Sequence, residues 1–227
     1  MDSCPNCGKD YKRIAAHFQH NPSHRPKLSE QQHEIITGVL MADGHIEETS
    51  TGTYRLKVNS INKQYLEHLS DKFGIFSNDI YLNESAQASK ERTLSRGGFG
   101  NSVDFNDVWA WQTTSIPELS KYRNWYDGKK VWPTNINITP TVLRHLYVGD
   151  GCWESSNSRI RIAMNNERGN EEKVESYFEV ANLPVPKWNT TEKSHAAYWS
   201  ATESEELLNY IGEPIAGFKY KWGNDNV

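Results

Sequence analysis

Two stretches of the chain combine an apolar helical pattern with the same ending. Ile36-Thr37-Gly38-Val39-Leu40-Met41-Ala42-Asp43-Gly44 and Arg144-His145-Leu146-Tyr147-Val148-Gly149-Asp150-Gly151 are apolar runs with small residues spaced along them, each closing on Asp-Gly. A helix start precedes both. Ser29 with Gln32 has the spacing of a capping box, and Thr139 stands before Pro140, which suits the first helical position. The pattern predicts helices over 29–43 and 139–150, each stopped by a glycine.

Beyond each helix the apolar period drops to two. His45 to Ser50 and Thr53 to Ile61 read as a hairpin around Thr51-Gly52, and Gly151 to Ser156 and Arg159 to Asn165 as another around Asn157-Ser158. In the returning strands, Leu56 and Val58 alternate with Arg55, Lys57 and Asn59, while Ile160, Ile162 and Met164 alternate with Arg159, Arg161 and Ala163. One face of each is therefore buried, and the other is wet and basic. His45, Glu47, Trp153 and Ser155 are expected on that wet face from the partner strands. Amphipathic helices follow over 63–73 and 171–181, with Leu66, Leu69 and Phe73 and with Val174, Tyr177 and Phe178 as core positions.

Further strands are expected over 91–96 and 102–112, joined by Gly97-Gly98-Phe99-Gly100, and over 187–193 and 196–201. Last helices are expected over 117–126 and 203–211. The order α-β-β-α-β-β-α thus runs twice, which is an internal repeat. Hairpin connections make the class α+β with antiparallel sheets. Three parts follow: a small module over 1–28, a first repeat over 29–133 and a second over 134–227.

Gly38 and Ala42 lie on one helix face, as do His145 and Gly149. Small side chains let helix backbones approach more closely than the usual separation. Face-to-face packing would bring Asp43 and Asp150 side by side, at helix ends that already carry partial negative charge. Two carboxylates at about 6 Å repel by about 3 kcal/mol at an effective dielectric of about 20. A hard divalent cation with oxygen ligands is the natural counter-charge.

Composition adds constraints. No apolar run reaches the ~18 residues of a membrane span, and Met1-Asp2-Ser3-Cys4 has no signal-peptide character, so an intracellular protein is expected. The net charge is −4, yet residues 1–28 hold five Lys/Arg against two Asp, and the predicted returning strands are basic. Nucleic-acid binding depends on that local field rather than on the sum. Of three cysteines, two form Cys4-Pro5-Asn6-Cys7, a tight turn presenting two thiolates. A short helix over 11–20 follows, offering His17 and His20, with His24 just beyond. Cys4, Cys7, His17 and His24 are the favoured Zn²⁺ ligands, with His20 as the alternative, because a module this small has little core without a metal.

The two Asp-Gly helices resemble the paired signature helices of the LAGLIDADG homing endonuclease family in its single-chain, two-repeat form. Trp125-Tyr126-Asp127-Gly128-Lys129-Lys130-Val131-Trp132-Pro133, between the repeats, is similar to that family's inter-repeat segment, and Ile138-Thr139-Pro140 fits as well. His145 departs from the pattern, standing where a small residue is usual. Met41 and Val148 fill a slot that is often acidic in the family, here read as non-catalytic. The resemblance covers residues 29–222 and implies a saddle of two sheets on double-stranded DNA.

Arg55, Lys57, Asn59, Arg159, Arg161, His45 and Trp153 would then be DNA-binding residues. The resemblance implies that Asp43 and Asp150 are catalytic and hold Mg²⁺ or Mn²⁺, with Ala42 and Gly149 adding carbonyl ligands. It also implies a monomer that makes a double-strand break with short 3′ overhangs at a long asymmetric site. Lys193 is a candidate for an assisting basic residue, with Arg96 and Lys90 as rivals. A non-cleaving DNA- or RNA-binding protein of the same fold, an intron maturase or transcription regulator, is the alternative.

Overall fold

The computed structural model describes residues 2–85, 88 and 107–223. The expected strand over 91–96, the glycine turn after it, Lys90 and Arg96 lie outside the described residues. In chain order, the strands are β1 (Asp2–Ser3), β2 (Asp10–Tyr11), β3 (His45–Glu48), β4 (Tyr54–Ser60), β5 (Tyr81–Leu82), β6 (Trp109–Gln112), β7 (Tyr126–Asp127), β8 (Lys129–Lys130), β9 (Gly151–Glu154), β10 (Arg159–Ala163), β11 (Lys187–Thr190) and β12 (His195–Tyr198). The α-helices are α1 (Ile14–His20), α2 (Glu30–Met41), α3 (Lys63–Phe73), α4 (Pro140–Asp150), α5 (Glu171–Val180) and α6 (Ala201–Ile211). The class is mixed α+β with antiparallel sheets, as expected.

The chain forms two compact units. One holds Met1–Lys27 with Ile46–Glu118, the other Leu28–His45 with Leu119–Val227. Helix α2 therefore belongs with the second repeat's elements, because its apolar face packs on α4.

In the first unit the sheet order is β3-β4-β6-β5. Leu56 and Val58 of β4 are buried, together with Leu66, Leu69 and Phe73 of α3. Trp111 of β6 packs its ring 5.2 Å from Phe73 and donates its indole N–H to Ser77 Oγ at 2.8 Å. The strand beyond β6 is Tyr81–Leu82, which pairs with Ala110 and Trp109. Two residues are too few for an alternation signal, so the sequence pattern does not reveal it. A small core of Cys4, Ile14 and Phe18 carries the N-terminal module, with Ile75 of the first repeat packed against it.

In the second unit the order is β11-β12-β10-β9. Leu143 and Tyr147 of α4, Ile160 and Ile162 of β10, and Leu207 and Ile211 of α6 surround one apolar gap at the centre of its core. The rings of Phe178 of α5 and Trp199 meet at a tilt, with their centroids 5.3 Å apart. Two expected helices differ in detail. Residues 117–125 form a 3-10 helix instead of an α-helix, burying Leu119, Tyr122 and Trp125 at a spacing of three, which is the 3-10 period. Helix α6 starts at Ala201 rather than Glu203, because Ser200 and Glu203 close a capping box.

Candidate active site and nucleic-acid interface

The site begins with how closely α2 and α4 pack. Ser29 caps α2 with the reciprocal Gln32 bond, and Thr139 caps α4 with Pro140 at the first position. A Cβ at Gly38 would stand 2.8 Å from the Cβ of His145 and run into the carbonyl of Val142. A Cβ at Gly149 would collide with the methyl of Ala42. His145 is buried and is accommodated by the glycine opposite, so the departure from the small-residue pattern is compensated across the pair. Gly44 and Gly151 serve space rather than a left-handed turn. Val39 crowds one and Tyr147 the other, and Gly151 is extended at φ −89°.

This packing brings the ends of the two helices together. Asp43 is exposed in the turn that follows α2, and Asp150 is the half-buried last residue of α4. Burial and then the nearby Asp43 charge push the Asp150 carboxyl up from its ordinary value to about 6. Two ammonium groups oppose that shift, those of Lys130 and Lys221. Lys130, on β8, donates to the carbonyl of Ala42 and, at 3.2 Å, to that of Gly44. Lys221, in a 3-10 turn over 219–222, donates to the Val148 carbonyl at 2.6 Å and lies 3.5 Å from that of Gly149. Each helix C-terminus thus has its orphan carbonyls capped by a lysine. Burial lowers the proton affinity of both lysines, and Asp43 and Asp150 partly restore it.

The carbonyls of Ala42 and Gly149, expected to add cation ligands, each have a lysine ammonium group nearby, at 3.5 Å for Gly149. Lys193 lies on the exposed turn between β11 and β12, and the lysines beside the aspartates are Lys130 and Lys221. A signal for them existed. Lys129-Lys130-Val131-Trp132 and Lys219-Tyr220-Lys221-Trp222 are Lys-rich steps before a tryptophan, one per repeat.

Lys130 is held by its neighbours. The indole of Trp132 donates to the Met41 carbonyl at 3.2 Å, and its backbone N–H donates to Glu167 Oε1 at 3.0 Å. Glu167 is fully buried and is paired with Lys173 at 2.6 Å, which in turn donates to the Trp132 carbonyl at 3.0 Å. Tyr177 closes the clamp by donating to the Pro133 carbonyl. On the other side Tyr147, its phenol pushed above the ordinary range by burial, donates to the backbone carbonyl of Lys221.

The two sheets present matching charged faces. In one, Glu47 accepts from Arg55 Nε at 2.5 Å and lies 3.9 Å from Lys57 Nζ. In the other, Glu154 accepts from Arg159 Nε at 2.6 Å and from Arg161 at 3.4 Å. Both Glu residues stand four positions after their Asp, at 43 and 150. Arg159 also stacks over Tyr198 at 4.4 Å, and Asn59 accepts from Asn83 at 3.2 Å. Half-exposed pairs of this kind contribute little stability. They hold the long side chains in fixed poses on the face.

Trp153 does not share this face. It lies opposite the buried Ile160 in the β9–β10 register, while Glu154 pairs with Arg159 and Cys152 with Arg161. A one-residue offset in reading the hairpin moves a side chain to the other face. Cys152 takes the outward position, and Trp153 packs on Gly223. His45 opens β3 and is half-buried there.

The sequence profile of the LAGLIDADG DNA endonuclease family matches residues 33–207. The chain belongs to that family. The homing endonuclease I-WcaI bound to its DNA recognition sequence has a similar structure, with a TM-score of 0.71 at 18% identity, covering 96% of this chain and 95% of that one. At that identity the likeness speaks for the LAGLIDADG fold. I-DmoI in complex with DNA and Mn aligns with a TM-score of 0.46 at 11% identity over 80% of this chain and 96% of that one. Full-length DUF199/WhiA from Thermatoga maritima aligns at 0.49 and 9% identity over 86% of this chain and 61% of that one. No curated protein matches the chain by sequence.

The N-terminal module lies before the LAGLIDADG match. Its Cys4 and Cys7 thiols and the rings of His17 and His24 place four ligand atoms within 4.8 Å of one another. Cys7 Sγ is 3.8 Å from His17 Nε2, and His24 Nδ1 is 3.2 Å from the same nitrogen. His20 is exposed at the end of α1. The backbone N–H of Lys9 is the main cause that brings the Cys7 thiol down to about 7. Two thiols and two imidazoles at this spacing suit a tetrahedral soft-metal site.

Proposed function

We propose that this chain is a site-specific homing endonuclease that makes metal-dependent double-strand breaks in DNA at a long, asymmetric target. The observation that carries this reading is the meeting of Asp43 and Asp150 at the ends of two tightly packed helices, each end capped by a lysine, half-buried at Lys130 and buried at Lys221. Two carboxylates with the proton affinity of one raised to about 6 are an oxygen donor set for a hard divalent cation, Mg²⁺ or Mn²⁺. A bound cation would supply Lewis-acid stabilisation of charge at the scissile phosphate.

The chain's own groups do the rest. In phosphodiester hydrolysis a water oxygen bonds to phosphorus and the 3′ oxygen leaves. Asp43 and Asp150 hold the cationic charge, and each serves one DNA strand. Lys130 and Lys221, made more acidic by burial, hold positive charge beside the reacting phosphate. Arg55, Lys57, Asn59 and His45 in the first repeat, and Arg159 and Arg161 in the second, form the DNA-reading faces. Unlike residues at matching positions make the target asymmetric, and one chain carrying both aspartates acts as a monomer. Cys4, Cys7, His17 and His24 hold Zn²⁺ in a module over 1–28, followed by repeats over 29–133 and 134–227. A DNA-associated, intracellular protein fits these roles.

The test is cleavage of DNA spanning the gene's own insertion site, with Mg²⁺ and with EDTA. Cutting is expected only with the metal. DNA that is bound and left intact in both conditions would replace this reading with the non-cleaving one.

A further inference from the structure

The first unit contains a cleft of about 200 Å³ whose lining, apart from Arg55, the site described above does not use. Its walls come from two parts of the chain. Gln19 of α1 and Arg25, just after the Cys/His cluster, form one wall, and Arg55, Asn78, Thr114 and Ser115 of the first repeat form the other. Two guanidinium groups, a carboxamide pair and the hydroxyl residues Thr113, Thr114 and Ser115 thus meet around one opening, and among the described residues no carboxylate lines it. That donor set matches a phosphodiester, whose non-bridging oxygens accept from paired guanidinium N–H groups.

The cleft is held in shape from both sides. Glu47 takes the Nε–H of Arg55, one of five guanidinium donors, and so fixes its pose. Glu118 attracts Arg25, whose half-buried guanidinium is otherwise made less basic by burial. The backbone at Arg25 is tied to the cluster, since Asn6 Nδ2 donates to the His24 carbonyl at 2.9 Å and the Arg25 N–H donates to Pro22 at 3.2 Å. Ile75 of the first repeat packs against the module's core. Arg55 shares the outer sheet face with Lys57, so the cleft continues the surface proposed above for DNA.

We propose that the N-terminal module builds, with the edge of the first sheet, a phosphate site that grips the DNA backbone, and that the Cys/His metal sets Arg25 within it. This rests on the DNA-binding reading given under Proposed function. The module would then act as part of the DNA-binding surface rather than as a cap.

The test is the salt dependence of binding to a duplex of arbitrary sequence, read by fluorescence anisotropy without divalent cation. Each neutralised phosphate contributes about −0.9 to the slope of log K against log salt. Arg25→Gln is expected to make the slope shallower by about one and to weaken binding about fivefold at moderate salt. Arg25→Lys should keep most of the slope. A zinc-selective chelator should reproduce the loss in the wild type and add nothing to Arg25→Gln. An unchanged slope in Arg25→Gln, with Arg55→Gln still making it shallower, overturns this inference and leaves the endonuclease reading standing. A wild-type chain with no salt-dependent DNA binding overturns both.

Discussion

The ends of α2 and α4 carry the same parts in different settings. Each has an aspartate, a crowded glycine after it and a lysine capping its carbonyls. Asp43 stands out in solvent beyond its helix, while Asp150 is the final helical residue and half-buried. Lys130 arrives on a short β-ribbon clamped through Trp132 to the Glu167–Lys173 pair, and Lys221 on a 3-10 turn held by Tyr147. The repeat supplies the chemical groups twice, and local burial then gives each copy its own proton affinity. Two sites that look equivalent in sequence are therefore expected to answer differently to pH and to mutation.

The largest expected effect tests whether both ends are needed. Asp43→Asn and Asp150→Asn should each lower double-strand cleavage about a thousandfold or more, with DNA binding retained and nicking of one strand the most that survives. Wild-type cutting rates in both variants would end the assignment. Next comes the packing beneath them. Gly38→Ala drives a methyl into the backbone of Val142 and Gly149→Ala drives one into the Cβ of Ala42, which can yield only with its backbone, so each should cost about 2–3 kcal/mol in urea unfolding. A loss under about 1 kcal/mol in either variant would mean that the helix pair can part at that end.

The pH dependence separates the carboxylates. With its folded value raised from 3.8 to about 6, Asp150 binds a proton more tightly in the native state than in the unfolded chain. Stability in EDTA should therefore fall as pH rises from about 4 through about 6, by about 1–3 kcal/mol. Asp150→Asn should flatten that slope and stabilise the chain at neutral pH, and a divalent cation should flatten it as well. A slope untouched by Asp150→Asn would assign it to another group. The smallest effect concerns the clamp. Trp132→Phe removes one indole donor to Met41 and is expected to slow cleavage about tenfold while costing about 1 kcal/mol of stability and leaving DNA affinity unchanged. Weakened DNA binding in that variant would place Trp132 on the DNA face instead.

Much of the fold was legible because its signals are local. Ser29 and Thr139 announce their helices, and the alternation around Leu56 and around Ile160 announces the returning strands. The two aspartates were legible for the same reason, each sitting at the end of a small-residue helix face. Other features were not. The β5 strand is two residues long, and the helix over 117–125 keeps a three-residue period that resembles an α-helix until its hydrogen bonds are known.

The sequence by itself determined which groups the chain possesses and the periods on which they repeat, since helix caps, alternation and Cys/His spacing depend on neighbours along the chain. Tertiary structure decided four things. It chose Lys130 and Lys221 over Lys193 as the aspartates' companions, turned Trp153 to the inner face, brought His24 rather than His20 to the thiols, and raised the Asp150 carboxyl to about 6. Each of these depends on strand register, on burial or on residues dozens of positions away, and no local pattern encodes such distances.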